Sequence, residues 1–135
     1  MSSHIGALYE ARFIVRALEH MLEPHPCAGD YMPYDFLVTN AAGKVFKTQV
    51  KGTGSMKRQG RRYSILAATG RSANKVRMDC SKVDILAAYM AEVNTWYIVP
   101  CMAITSLTMW FYPTIEGSRG KYEKYREAWN IFKDV

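Results

Sequence analysis

Asp35 and the triplet Gln49-Val50-Lys51 are the residues whose types and spacing can do chemistry together. Residues 34–38 read as a short strand, Asn40-Ala41-Ala42-Gly43 as a turn, and residues 44–51 as a second strand. Strand side chains alternate faces, so Lys47, Gln49 and Lys51 point one way while Phe46, Thr48 and Val50 point the other. A carboxylate, an amide and an ammonium group then converge on one face of a hairpin. Such a group suits a divalent cation held beside a phosphate. Phosphodiester hydrolysis asks for the same set: an oriented water, charge relief on the phosphoryl oxygens and a stabilised leaving oxygen.

The elements around this hairpin decide what else can reach it. Residues 5–22 have a helical period, with Ile5, Leu8, Val15, Leu18 and Leu22 as one apolar stripe. Ser2 or Ser3 caps the start, and Pro24 and Pro26 forbid continuation. Glu10 lies off the centre of that stripe and faces either the sheet edge or water. Residues 24–33 read as a loop. A second loop runs over residues 51–62, with Gly52 and Gly54 followed by Lys57, Arg58, Arg61 and Arg62. Glycine permits close backbone approach to a ligand, and arginine grips phosphate or guanine edges with a two-pronged fork. Residues 63–68 read as a third strand, and residues 70–78 as another basic loop with Arg71, Lys75 and Arg77. Residues 82–90 and 95–104 are the fourth and fifth strands, the fifth so apolar that it is expected to be central. Residues 107–112 form a further strand.

After a linker at residues 117–120, Tyr122, Tyr125, Trp129 and Phe132 recur at spacings of three, four and three, the pattern of one helical face. Such a face docks on the core or on a second subunit, and more rarely stacks on bases. This aromatic face and residues 107–112 are the expected subunit interface.

At 135 residues the chain is expected to be a single domain, residues 1–135. From Phe36 to Met78 there is no Asp or Glu, yet ten of the eighteen Lys and Arg fall there. Such segregation favours a polyanion, because each neutralised phosphate releases counterions. The three cysteines, Cys27, Cys80 and Cys101, include no C-x-x-C, so neither a disulfide framework nor a zinc knuckle is expected, and the default location is the reducing cytosol. His20 and His25 with Cys27 lack a fourth ligand at zinc spacing. His20 is expected at a helix C-terminus, where its charge is favoured. Asp30 and Asp84 are further carboxylates, read as turn or surface residues. Residues 93–115 carry no charge, but Pro100 and Pro113 and the β-rich composition make them buried strands and not a membrane span.

The order of helix, strand and strand with Glu10, Pro33-Tyr34-Asp35 and Gln49-Val50-Lys51 resembles the PD-(D/E)XK nucleases, the restriction-endonuclease-like superfamily. The resemblance covers roughly the first 55 residues. A looser likeness continues through residues 83–89 and 96–100 to Trp129. The layout is similar to small nucleases related to Holliday-junction resolvases and to homing endonucleases. One departure stands out. The acid usual before x-Lys is Gln49 here, as in some homing enzymes of the superfamily.

The resemblance implies an α/β fold: a restriction-endonuclease-like mixed sheet of about five strands flanked by helices. It implies a metal-dependent DNA endonuclease using Mg²⁺, with Mn²⁺ as substitute, that cuts either a defined duplex site or a junction. Glu10, Asp35, Gln49 and the backbone carbonyl of Val50 would hold the metal, and Lys51 would orient the attacking water. Lys57, Arg58, Arg61, Arg62, Arg71, Lys75 and Arg77 would contact nucleic acid. One such chain carries one site, so cutting both strands implies a homodimer or homotetramer. Gln49 in place of an acid removes one negative charge from the cage. That keeps a rival open: a catalytically inactive DNA-binding or assembly protein with the same fold.

Overall fold

The computed structural model describes residues 3–29, 31–55, 61–69 and 76–133. It opens with helix α1 (Ser3–Glu19), whose buried residues are Tyr9, Phe13 and Ala17, with Leu22 just beyond its end. The expected stripe is mostly the outer face. Ile5, Leu8, Val15 and Leu18 are 40–58% exposed, and only Leu22 is buried. Two stripes compete on this helix, and the aromatic one wins because Tyr9 and Phe13 bury more area than aliphatic side chains. Phe13 sits within ring contact of Phe36, Trp96, Trp129 and Phe132.

The main sheet has five strands in the order β1 (Glu23–Pro26), β2 (Phe36–Thr39), β3 (Val45–Thr53), β7 (Ile85–Met90) and β8 (Thr95–Pro100). Only β3 and β7 pair in parallel, so the sheet is mixed, as expected. Alternate residues of β7 serve opposite cores. Ile85, Ala87 and Tyr89 face α1, while Leu86, Ala88 and Met90 face a second cluster containing Tyr63, Met109 and Phe111.

Two expectations about this sheet change, and one about the C-terminal segment that covers it. The loop expected from Pro24 onward begins as β1, an edge strand, where proline's missing N–H removes no ladder bond. The apolar strand β8 is an edge and not the centre. Its outer side is covered by the C-terminal segment: Glu127 N donates to Trp96 O at 2.7 Å, and Trp96 N donates to Glu127 Oε2 at 2.9 Å. The C-terminal α-helix is absent from the described residues. Two 3-10 turns, Glu123–Tyr125 and Trp129–Lys133, flank Glu127, whose φ of 47° interrupts any helix. Tyr122, Trp129 and Phe132 are buried in the chain's own core, so they offer no face to a second subunit.

Outside the main sheet, β4 (Tyr63–Leu66) pairs with β9 (Thr108–Phe111), and β5 (Ala68–Thr69) with β6 (Val76–Arg77), each pair antiparallel. Met109 and Phe111 of the other expected interface segment are likewise buried. Cys80 and Cys101 form a disulfide that ties the turn before β7 to the end of β8, against the expectation of unpaired thiols. Cys27 is free. Among the described residues no helix is long and apolar enough to cross a membrane.

Candidate active site

Strand β3 outruns β2, and that difference in length makes the site. The β2–β3 register ends at Phe36 opposite Thr48, while β3 continues to Thr53. Asp35 sits just past the end of that register, hydrogen-bonded to Thr48 and Val50, and shares a cleft with Gln49. Backbone bonds fix Asp35 there: its N–H donates to Thr48 O at 2.9 Å, and its carbonyl accepts from Cys27 N at 3.0 Å. Where a strand partner is missing, the Asp35 carboxylate takes over, accepting from Val50 N at 2.7 Å. N–H and C=O of one strand residue point to the same side, so the Val50 carbonyl is aimed the same way.

Glu10, Asp35, Gln49, Val50 and Lys51 line one cleft of about 600 Å³. The alternation expected of β3 holds, with Lys47, Gln49 and Lys51 partly exposed and Phe46, Thr48 and Val50 buried. Lys51 Nζ reaches across and donates to Ala68 O at 3.2 Å. Glu10 arrives from α1, and Gly52 permits this. A Cβ at Gly52 would lie 2.4 Å from the Tyr9 ring, so the helix packs directly on the backbone of β3. Gly52 was legible as a close-approach glycine, but the approaching group is Tyr9 and not a ligand.

The telling atom is Gln49 Oε1. It is buried and has no hydrogen-bond partner. A buried acceptor left unpaired is unfavourable by about 1–3 kcal/mol unless something else satisfies it. Among the described residues no three His, Cys, Asp or Glu side chains cluster to hold a metal. The hard donors in the cleft are two carboxylates, a neutral amide oxygen and a backbone carbonyl, and that oxygen set fits Mg²⁺ or Mn²⁺. Cys27 lies close by. Burial first, and then the negative charges of Asp35 and Glu10, push its thiol above the usual range. A thiol held in its neutral form is a poor nucleophile, and Cys27 does not line the cleft.

The other candidates are dispersed. Asp84 is structural, its Oδ2 accepting from Lys47 N at 2.8 Å. Arg77 donates to Ile104 O at 3.0 Å. Arg61 is exposed, and Arg62 is half-buried over the Trp110 ring. Asp30, Lys57, Arg58, Arg71 and Lys75 lie outside the described residues. His20 stacks on Trp129 and its pKa is lowered, by burial first and then by Lys133, so the favourable helix-end charge is overridden. His25 is exposed on β1. Ser64 and Leu66 of β4 also line the cleft, a wall that sequence reading missed because nothing local marks which strand comes to face the site.

A family model described as PD-(D/E)XK endonuclease matches residues 2–132. The chain belongs to the PD-(D/E)XK endonuclease family. Among solved structures, the bacterial homing endonuclease I-Ssp6803I is similar, with a TM-score of 0.82 at 22% identity over 95% of this chain and 90% of that one. The shared fold is restriction-endonuclease-like. No curated protein matches the chain. As a PD-(D/E)XK endonuclease the chain acts on nucleic acid.

Proposed function

We propose that this PD-(D/E)XK endonuclease is a metal-dependent DNA endonuclease with its active site at Glu10, Asp35, Gln49 and Lys51. The observation that carries the reading is the unpaired, buried Gln49 Oε1 in the cleft that it shares with Asp35, Glu10 and Lys51. Asp35, Gln49 Oε1, the Val50 carbonyl and Glu10 would hold Mg²⁺ or Mn²⁺. When bound, the ion supplies charge relief on the phosphoryl oxygens. Lys51 orients the attacking water and stabilises the charge that builds on the phosphorus-bound oxygens. Asp35 keeps its orientation through the Val50 N–H, so positioning is built into the strand edge.

The basic residues, concentrated between residues 36 and 78, serve the DNA backbone. Each chain brings one site, so a double-strand cut takes two copies, in a homodimer or homotetramer. Arginines along residues 51–62 favour a defined duplex site over a junction. Competition between DNA and RNA duplexes separates a DNA enzyme from an RNA-directed one.

The alternative, a DNA-binding or assembly protein without catalysis, is favoured by one fact: Gln49 carries no charge where the family has an acid. Calorimetric titration with Mn²⁺ tests the choice. Heat of binding that vanishes in Asp35→Ala supports the enzyme. No binding by the wild-type protein supports the inactive relative.

A further inference from the structure

The ribbon of β4 and β9 has one face in the core and one face outward. Tyr63 and Ile65, with Met109 and Phe111, are buried in the second core cluster. By alternation Arg62, Ser64 and Leu66, with Thr108 and Trp110, take the opposite face; the register sets Ser64 against Trp110 and Leu66 against Thr108. None of these five is buried, and Ser64 and Leu66 also line the cleft that holds Asp35 and Lys51. A two-stranded ribbon is one of the two elements that the DNA major groove admits.

Arg62 is the unusual member. Its guanidinium lies 3.8 Å from the centre of the Trp110 ring, while its Nε is buried with no hydrogen-bond partner. Arg62 makes no ion pair among the described residues. Stacking on an indole fixes the plane of the fork and leaves its N–H groups to be used elsewhere. A fork fixed in one plane matches the paired O6 and N7 acceptors on the major-groove edge of guanine.

We propose that the outward face of the β4–β9 ribbon enters the DNA major groove beside the cleaved phosphate, and that Arg62, held by Trp110, reads a guanine there. The proposal rests on the endonuclease reading and adds a sequence-reading surface to it. Ser64, Leu66 and Thr108 supply the smaller polar and apolar contacts of the same face, suited to base edges and the thymine methyl group.

The test is selection of bound sequences from a pool of randomised DNA duplexes. It is run in an Asp35→Ala background, so that no cleavage depletes the pool. The parent is expected to select guanine at a defined position. Arg62→Ala and Arg62→Lys should both lose that preference by about tenfold or more, the worth of one two-pronged guanine contact. Trp110→Ala should lose it as well, and Trp110→Phe should keep part of it. Arg62→Lys retains charge and stem, so it answers the question even where Arg62→Ala fails to fold. Three results overturn the proposal: a parent that selects no base, an Arg62→Lys profile identical to the parent's, or a uniform loss across all sequences with a flatter salt dependence, which marks a phosphate contact. Failure of the endonuclease reading appears separately, as no cleavage by the wild-type protein in Mg²⁺.

Discussion

Two clefts of nearly equal size, about 600 and 580 Å³, are lined by successive stretches of α1, and they differ in how their polar groups are satisfied. In the second, Arg12 donates to Tyr89 Oη, Tyr89 donates to Asn94 Oδ1, and Arg16 bridges Asn94 and Glu127. Glu127 also accepts from Trp96 N and Trp129 Nε1. Among the described residues of that cleft, no buried side-chain N or O atom lacks a partner. In the first, β3 runs on past the end of β2, and Gln49 Oε1 stays buried and unpaired. Size does not distinguish the two. A closed network holds structure together, whereas an unsatisfied acceptor beside carboxylates is arranged for something still to arrive.

If that contrast is right, substitutions in the first cleft should remove activity and those in the second should remove stability. The largest effect is expected from Asp35→Ala and Lys51→Ala. Each should slow metal-dependent DNA cleavage by about 10²-fold or more. Asp35→Ala should also lower stability by about 1–2 kcal/mol, because the Val50 N–H loses its acceptor. Lys51→Ala should leave DNA binding close to wild type. A collapse of binding alongside cleavage would move Lys51 into the DNA footprint.

Next comes Gly52→Ala, which links the clefts through α1. Its Cβ would meet the Tyr9 ring at 2.4 Å, so the helix must shift. Destabilisation of about 1–3 kcal/mol in denaturant unfolding is expected, together with slower cleavage because Glu10 moves with the helix. Unfolding without loss of rate in the folded protein would show that Glu10 is not needed where it stands.

Behind the second cleft, Glu127→Ala should lower stability by about 2 kcal/mol, since it removes acceptors of hydrogen bonds from Arg16, Trp96 and Trp129. Cleavage per folded molecule should hold. The smallest effect concerns pH. Folding lowers the pKa of His20 from its ordinary 6.5, so protonation favours the unfolded chain. Its contribution is present above 6.5 and is lost as pH falls through the lowered folded value. Unfolding followed against pH should lose part of its acid slope in His20→Gln.

The hairpin was legible because strand alternation and a short turn are local properties. Asp35, Gln49 and Lys51 needed only a period of two and a register to meet. Less local questions were not legible. On α1 two apolar stripes overlap, and only the partners of Phe13 decide which one is buried. Apolar β8 looked central because sequence cannot show that its free edge is covered from thirty residues away by Glu127. The aromatic spacing near the C-terminus fits an α-helix equally well until the left-handed φ of Glu127 breaks it. The pairing of Cys80 with Cys101 likewise depends on β7 and β8 lying side by side.

The central claim is that the strand-edge cleft is a phosphodiesterase site, and cleavage tests it most directly. Supercoiled plasmid and a synthetic four-way junction would be incubated with wild-type protein, Asp35→Ala and Gln49→Glu in Mg²⁺ and in Mn²⁺. The account predicts metal-dependent cutting that is lost in Asp35→Ala and kept or strengthened in Gln49→Glu, where the family's acid returns. Metal-dependent cutting that persists at the wild-type rate in Asp35→Ala would contradict it.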